Sequence, residues 1–155
     1  MWKTSILKGQ KMKIAIASDH GGFELKQRVI DHYKDSDITF IDLGTSSTDS
    51  CDYPDIARIM VDCLRAQKAD LGILICGTGI GISIAANRFT GMRAAILYSD
   101  FCAEMAKKHN NANIMVFGGR TMAFEDVVRR IAIFLDTEFE GGRHIKRIEK
   151  IEQGE

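Results

Sequence analysis

The sequence predicts an α/β protein: a doubly wound, five-stranded parallel sheet with helices on both faces, an α/β/α sandwich. Two observations carry this. Short apolar runs and amphipathic runs alternate strictly along the chain. The apolar runs are also apolar throughout, the pattern of strands covered on both faces. Length bounds the answer, since 155 residues suffice for one domain with a real core and are too few for two ordinary ones.

The elements follow in order. KIAIAS (13–18) reads as a buried strand. FELKQRVIDHYK (23–34) has apolar residues at 25, 29, 30 and 33, which is helical spacing. ITFIDLG (38–44) is the second strand, closed by glycine. PDIARIMVDCLRAQ (54–67) opens on the only proline, well placed in a first helical turn. LGILIC (71–76) is the third strand, and residues 81–88 begin the helix behind it. RAAILY (93–98) is the fourth strand, followed by a helix over DFCAEMAKKH (100–109) with Asp100 as candidate N-cap. NIMVFGG (113–119) is the fifth strand and AFEDVVRRIAIFLDTEF (123–139) a long amphipathic helix. RHIKRIEKIE (143–152) is a last, highly charged one, in which Ile145, Ile148 and Ile151 form a narrow apolar stripe. That stripe fits the surface of a dimer partner, or equally that of its own subunit. With right-handed crossovers the whole is Rossmann-like, and such a sheet takes its ligand at the carboxyl ends of the strands, near a switch in strand order.

Residues 12–152 are expected to form the single domain. Residues 1–11 carry lysines at 3, 8 and 11 and no apolar h-region, so they read as a disordered extension or alternative start rather than a signal peptide. No run approaches the length of a membrane helix. Lys plus Arg and Asp plus Glu are both 21, a balance that argues against nucleic acid as a partner and leaves room for a local anion pocket. The cysteines, at 51, 63, 76 and 102, form no CxxC pair and read as reduced thiols of a cytoplasmic protein. The four histidines lack metal-ligand spacing.

The chemistry collects at the strand ends. Strand one ends in Ser18-Asp19-His20-Gly21-Gly22, strand two in Gly44-Thr45-Ser46-Ser47, and strand three in Cys76-Gly77-Thr78-Gly79-Ile80-Gly81. Strand four gives Ser99-Asp100, and strand five gives Gly118-Gly119-Arg120. His109-Asn110-Asn111, at the end of the fourth helix, is expected on the same side. The glycines at 77, 79 and 81 let backbone amides converge on an anion, helped by the helix that follows. A dinucleotide fingerprint would need a third glycine where Ile84 stands and would belong after the first strand, although Asp100 lies where that fold wants an acid. A Walker loop is absent.

Cys76 has two readings. A strand-end thiol is often only packing. At the start of a helix it also tends to thiolate, and a thiolate beside an amide-lined hole can act as a general base where an oxyanion develops, with Thr78 adding a hydroxyl. Cys51, Cys63 and Cys102 lack that setting and read as structural. His109 is a helix-end histidine before a polar HNNAN stretch that suits sugar hydroxyls, though loop polarity alone accounts for it. Arg143 and Arg147, four apart on one helix, can share an anion or form a solvated cationic face.

Taken together, ASDHGGFELK, DYPDIA, ILICGTGIGISIAANRFTGMRAA, HNNANIMVFGGR and EGGRHIKRIE resemble ribose-5-phosphate isomerase type B, in the superfamily of the galactose-6-phosphate and allose-6-phosphate isomerases. The resemblance spans about residues 13 to 152. It implies an aldose–ketose isomerase that interconverts ribose 5-phosphate and ribulose 5-phosphate through an enediolate, without metal or cofactor, in the non-oxidative pentose phosphate pathway. A hexose phosphate is the alternative substrate, and a non-catalytic anion- or nucleotide-binding module the alternative class. By the same resemblance Cys76 is the proton-abstracting base and His109 the ring-opening donor. Asp19 and His20 contact the sugar, and Gly77, Thr78, Gly79, Ile80 and Gly81 hold the enediolate. Asn110 binds a hydroxyl, and Arg120, Arg143 and Arg147 bind phosphate. Relatives without the cysteine use a carboxylate further along the loop, where this chain has Ser83 and Ile84. The family implies a homodimer, or a dimer of dimers, with sites shared between subunits.

Overall fold

A computed structural model describes residues 11–154, so the extension expected over residues 1–11 lies, Lys11 apart, outside the described residues. Its strands are β1 (Met12–Ser18), β2 (Ile38–Asp42), β3 (Leu71–Cys76), β4 (Ala94–Ile96) and β5 (Ile114–Gly118). Its helices are α1 (Phe23–His32), α2 (Tyr53–Arg65), α3 (Ile80–Asn87), α4 (Asp100–Lys108), α5 (Phe124–Asp136) and α6 (Arg143–Gln153). A short 3-10 turn, His20–Gly22, leads into α1.

All strands pair in parallel in the order β2-β1-β3-β5-β4. Side chains alternate across the sheet, and both faces are covered. Ile14, Ile16, Ile73, Ile75, Met115 and Phe117 pack with residues of α1, α4 and α5. Ala15, Ala17, Leu74, Cys76, Ile114 and Val116 pack with residues of α2 and α3. This two-sided burial is why the strands read as unbroken apolar runs; each fully buried Ile or Leu contributes about 1.5–3 kcal/mol.

The order of strands opens the site. From β1 the chain turns onto the α1 face, and from β3 onto the α3 face, on the opposite side. The two connections part between neighbouring strands, leaving a crevice over the carboxyl ends of β1 and β3, where Ser18 pairs with Ile75.

Local details differ from the sequence expectation. Ser99, not Asp100, caps α4: its side chain accepts the Cys102 N–H at 3.1 Å, while Asp100 is the first helical residue. Serine's short hydroxyl reaches the third N–H of the helix from an extended backbone, which is the capping geometry. Strand β4 covers only Ala94–Ile96 of the six residues expected, because it lies at the sheet edge with one pairing neighbour. Helix α6 is attached to its own subunit at both ends. His144 is buried near its start, and Glu152 near its end binds Arg93 Nη1 at 2.6 Å and the Gly91 N–H at 2.7 Å. Ile145 and Ile151 of its stripe are exposed.

Candidate active site

The crevice brings together three loops. Backbone contact between them is so close that side chains are excluded. A Cβ on Gly119 would lie 2.4 Å from the Gly21 carbonyl oxygen, and one on Gly21 would lie 3.0 Å from the Gly77 nitrogen. Cross-loop bonds complete the weld: Asp19 N–H to the Ile75 carbonyl, Gly119 N–H to the Cys76 carbonyl, and Arg120 N–H to the Gly77 carbonyl at 2.9 Å. Asp19 and His20, Cys76 to Gly81, and Arg120 therefore share one site at the carboxyl edge.

Cys76 is buried, and its Sγ accepts the Gly79 N–H at 3.1 Å, a contact a thiolate takes up better than a thiol. Gly79 supplies that N–H from a left-handed conformation, φ 82°, at the N-cap of α3. The Ile80 N–H is held by Thr78 Oγ1 at 3.2 Å. Among the described residues this leaves the N–H groups of Gly77, Thr78 and Gly81 unpaired and free for an oxyanion.

Around the sulfur the partners are fixed. Asp19 is buried, and its Oδ1 accepts the Gly21 N–H at 2.8 Å. The His20 Nδ1 accepts the Cys51 N–H at 3.2 Å, so the neutral ring carries its proton on Nε2. The Arg120 guanidinium lies against Gly77, with Nη1 3.3 Å from where a Cβ would stand. Beyond Thr78 and Ile80 a cleft of about 430 Å³ extends towards Tyr98, Met122 and Arg130.

Some residues take on contacts that the sequence reading did not assign them. Lys26, a lysine within the apolar stripe of α1 that the sequence reading passed over, is fully buried; its Nζ binds Asp42 Oδ1 at 2.5 Å and the Thr45 carbonyl at 2.8 Å, anchoring the loop after β2. The Tyr53 ring packs over Gly81, where a Cβ would approach it to 2.7 Å. Cys102, expected to be structural only, lies in the first turn of α4, where a hydrogen bond with Ser99 and then one with Tyr98 hold its thiol below the ordinary range. Asp100, the acid a dinucleotide site would need, is instead bound by Arg129 at 2.8 Å, which lowers its carboxyl below the usual value.

One expectation is overturned. His109, Asn110 and Asn111 do not lie at the carboxyl edge. Helix α4 starts there and runs back, so its end lies at the amino edge: the Asn110 and Asn111 carbonyls accept from Arg93, just ahead of β4, and Asn113 binds the Gly72 N–H at the start of β3. A β3-length strand separates this edge from Cys76, on the order of 16 Å. Helix α6 lies at the same amino edge. The His144 ring stacks on His109 with centroids 4.3 Å apart, and the Glu140 N–H binds the Lys108 carbonyl at 3.0 Å. Burial, followed by the charge of His109, pushes the His144 imidazole below its usual value. Arg143 and Arg147 are exposed beside it, and they and Arg120 have no acidic partner among the described residues. One chain thus places the thiol loop and the stacked His109–His144 pair at opposite edges of its sheet.

A thiol and unpaired amides lie at the switch point of a parallel α/β sheet, with Arg120 beside them, and relatives of the chain give the class, sugar-phosphate isomerase. The chain belongs to the ribose/galactose isomerase family, whose model matches residues 14–151. It is 40% identical to ribose-5-phosphate isomerase B of Escherichia coli K12 over 139 residues, 90% of this chain and 93% of that protein. A ribose 5-phosphate isomerase of Thermotoga maritima superposes with a TM-score of 0.90 at 48% identity, covering 93% of this chain and 99% of that one. Ribose-5-phosphate isomerase B of Mycoplasma genitalium, solved with bound ribulose-5-phosphate, gives 0.85 at 40% identity, covering 91% and 94%.

Proposed function

We propose that this isomerase interconverts D-ribose 5-phosphate and D-ribulose 5-phosphate through an enediolate, in the cytoplasm, as a homodimer that joins the carboxyl-edge half-site of one copy to the amino-edge half-site of the other. The observation that carries the chemistry is the Cys76 sulfur facing an amide beside three unpaired N–H groups. The observation that supports the dimer is the placement of His109 and Arg143 a sheet's length from Cys76. Ile80, Ile84, Tyr98 and Phe101 are also exposed next to the thiol loop, an apolar surface suited to a second copy.

In this reading the phosphate sits on Arg143 and Arg147 of the second copy, with Arg120 adding charge. Binding there orients the far end of the sugar. His109 of the second copy protonates the ring oxygen while Asp19 takes the proton of the anomeric hydroxyl. His20 and Asn110 hold the remaining hydroxyls. The Cys76 thiolate removes the C2 proton, the negative enediolate oxygen rests on the N–H groups of Gly77, Thr78 and Gly81, the O2 hydroxyl proton passes to O1, and the thiol returns its proton at C1 to leave the C2 ketone. Relatives named for ribose 5-phosphate, one with bound ribulose-5-phosphate, support the pentose.

The test is ketose formation from ribose 5-phosphate, with EDTA present and no cofactor added. Turnover exceeding that on allose 6-phosphate and galactose 6-phosphate is expected. Faster turnover on either hexose would replace the pentose assignment.

A further inference from the structure

We propose that His109, Glu140 and His144 form a binding site for a divalent transition ion of the zinc class, whose occupancy withdraws His109 from the isomerisation; the second clause rests on the proposed function. The ligand atoms of the three residues lie within 4.8 Å of one another. His144 is 3% exposed, yet its Nε2 has no hydrogen-bond partner. Such an atom is costly to bury unless something meets it. Glu140 faces the Nε2 edges of the two stacked rings and bonds to neither: its Oε1 is 3.8 Å from His144 Nε2 and its Oε2 3.9 Å from His109 Nε2. Both gaps are too long for hydrogen bonds and close to what a bridging ion needs. Zinc bonds of about 2.0–2.1 Å in a tetrahedron place neighbouring ligand atoms about 3.3 Å apart, so the two gaps to Glu140 must close by roughly 0.5 Å and the widest separation in the cluster, up to 4.8 Å, by roughly 1.5 Å. His109 and Glu140 are partly exposed, so the carboxylate can swing in and the His109 ring can turn out of its stack on His144, a turn that is needed because each Nε2 lone pair lies in its ring plane, while the Glu140 backbone is fixed to the end of α4.

The donor set selects the ion. Two imidazoles and one carboxylate suit zinc, cobalt or nickel, whereas calcium and magnesium take oxygen. Arg143 and Arg147 flank the cluster and disfavour a cation held by charge alone, so nitrogen coordination must supply the binding. Three ligands leave a position open for water.

The experiment uses the full chain, stripped with EDTA and free of any histidine tag, titrated with zinc against a chromophoric chelator and, separately, with cobalt. About one zinc per chain is expected, weakened about tenfold or more in Glu140→Gln, since loss of even an outer partner costs about that much. The cobalt complex is expected to show d–d bands without a thiolate charge-transfer band. Zinc binding unchanged in Glu140→Gln would overturn the site, because Glu140 would then hold no ion, and a thiolate band would overturn it because the ion would then sit on cysteine. Zinc should also slow ketose formation, reversibly with EDTA, and do so less in Glu140→Gln relative to that variant's own metal-free rate. Binding at these residues without inhibition overturns the second clause only. Absence of any isomerase activity counts against the proposed function, and the titrations then decide the metal site alone.

Discussion

At the scale of single residues, Cys76 and His109 carry different parts of the proposed reaction. Cys76→Ala removes the base and leaves the arginines untouched. Turnover should fall about 100- to 10,000-fold, while ribose 5-phosphate still raises the melting temperature. A variant with near-wild-type turnover would remove Cys76 from the mechanism. His109→Asn should cost about 100-fold on ribose 5-phosphate and under about tenfold on erythrose 4-phosphate, whose phosphorylated O4 cannot close a furanose. Equal losses on both would take away its ring-opening role. These two positions also show what a sequence discloses. Cys76 is legible because its neighbours in the chain, Gly77 to Gly81, are also its neighbours in space. His109 reads as an ordinary helix end, since its stacking partner His144 is far along the chain and no periodicity connects them.

Elements place these residues by close approach. Gly79 is both the amide donor to Cys76 and the left-handed N-cap of α3, and a Cβ there would stand 3.1 Å from the Phe117 carbonyl oxygen. Gly79→Ala should destabilise the fold by about 1–2 kcal/mol, a fall in melting temperature of roughly 2–8 °C, and lower turnover through a shifted loop. Unchanged turnover in a destabilised variant would show that the loop tolerates the shift. On the opposite face Tyr33 joins α1 to α5, donating its hydroxyl to the Val128 carbonyl at 3.3 Å. Burial and then the charge of Asp136 push its phenol up to about 12. The unfolded phenol ionises near 10, so the stability tied to the neutral form is complete below pH 10 and is lost between pH 10 and about 12, on the order of 2 kcal/mol. Denaturant titrations should show that loss, and Tyr33→Phe should abolish most of it.

For the whole molecule, the proposed pairing of half-sites from two copies makes a quantitative prediction. Cys76→Ala damages one half and Arg147→Ala the other. Mixed and allowed to exchange subunits, the two inactive variants form mixed dimers in half of all cases, each with one intact site of two. Activity should therefore return to about a quarter of wild type. No recovery after exchange, verified by mass spectrometry, would mean that each copy works alone.

The succession of strands and helices along the chain, their parallel pairing and the identity of the thiol loop were determined by sequence alone, whereas the order of strands across the sheet was not. Each rests on residues adjacent in the chain: apolar runs such as LGILIC, helical spacing such as that of residues 25, 29, 30 and 33, and glycines directly after a cysteine. Only the tertiary structure decided that α4 carries His109 to the amino edge, that Lys26 is buried under the β2 loop, that Ser99 rather than Asp100 caps α4, and that His109, Glu140 and His144 gather in one cluster. The reason is physical. Local pattern sets which face a residue occupies, whereas which faces and ends meet depends on the direction each element runs and on the packing that closes them together.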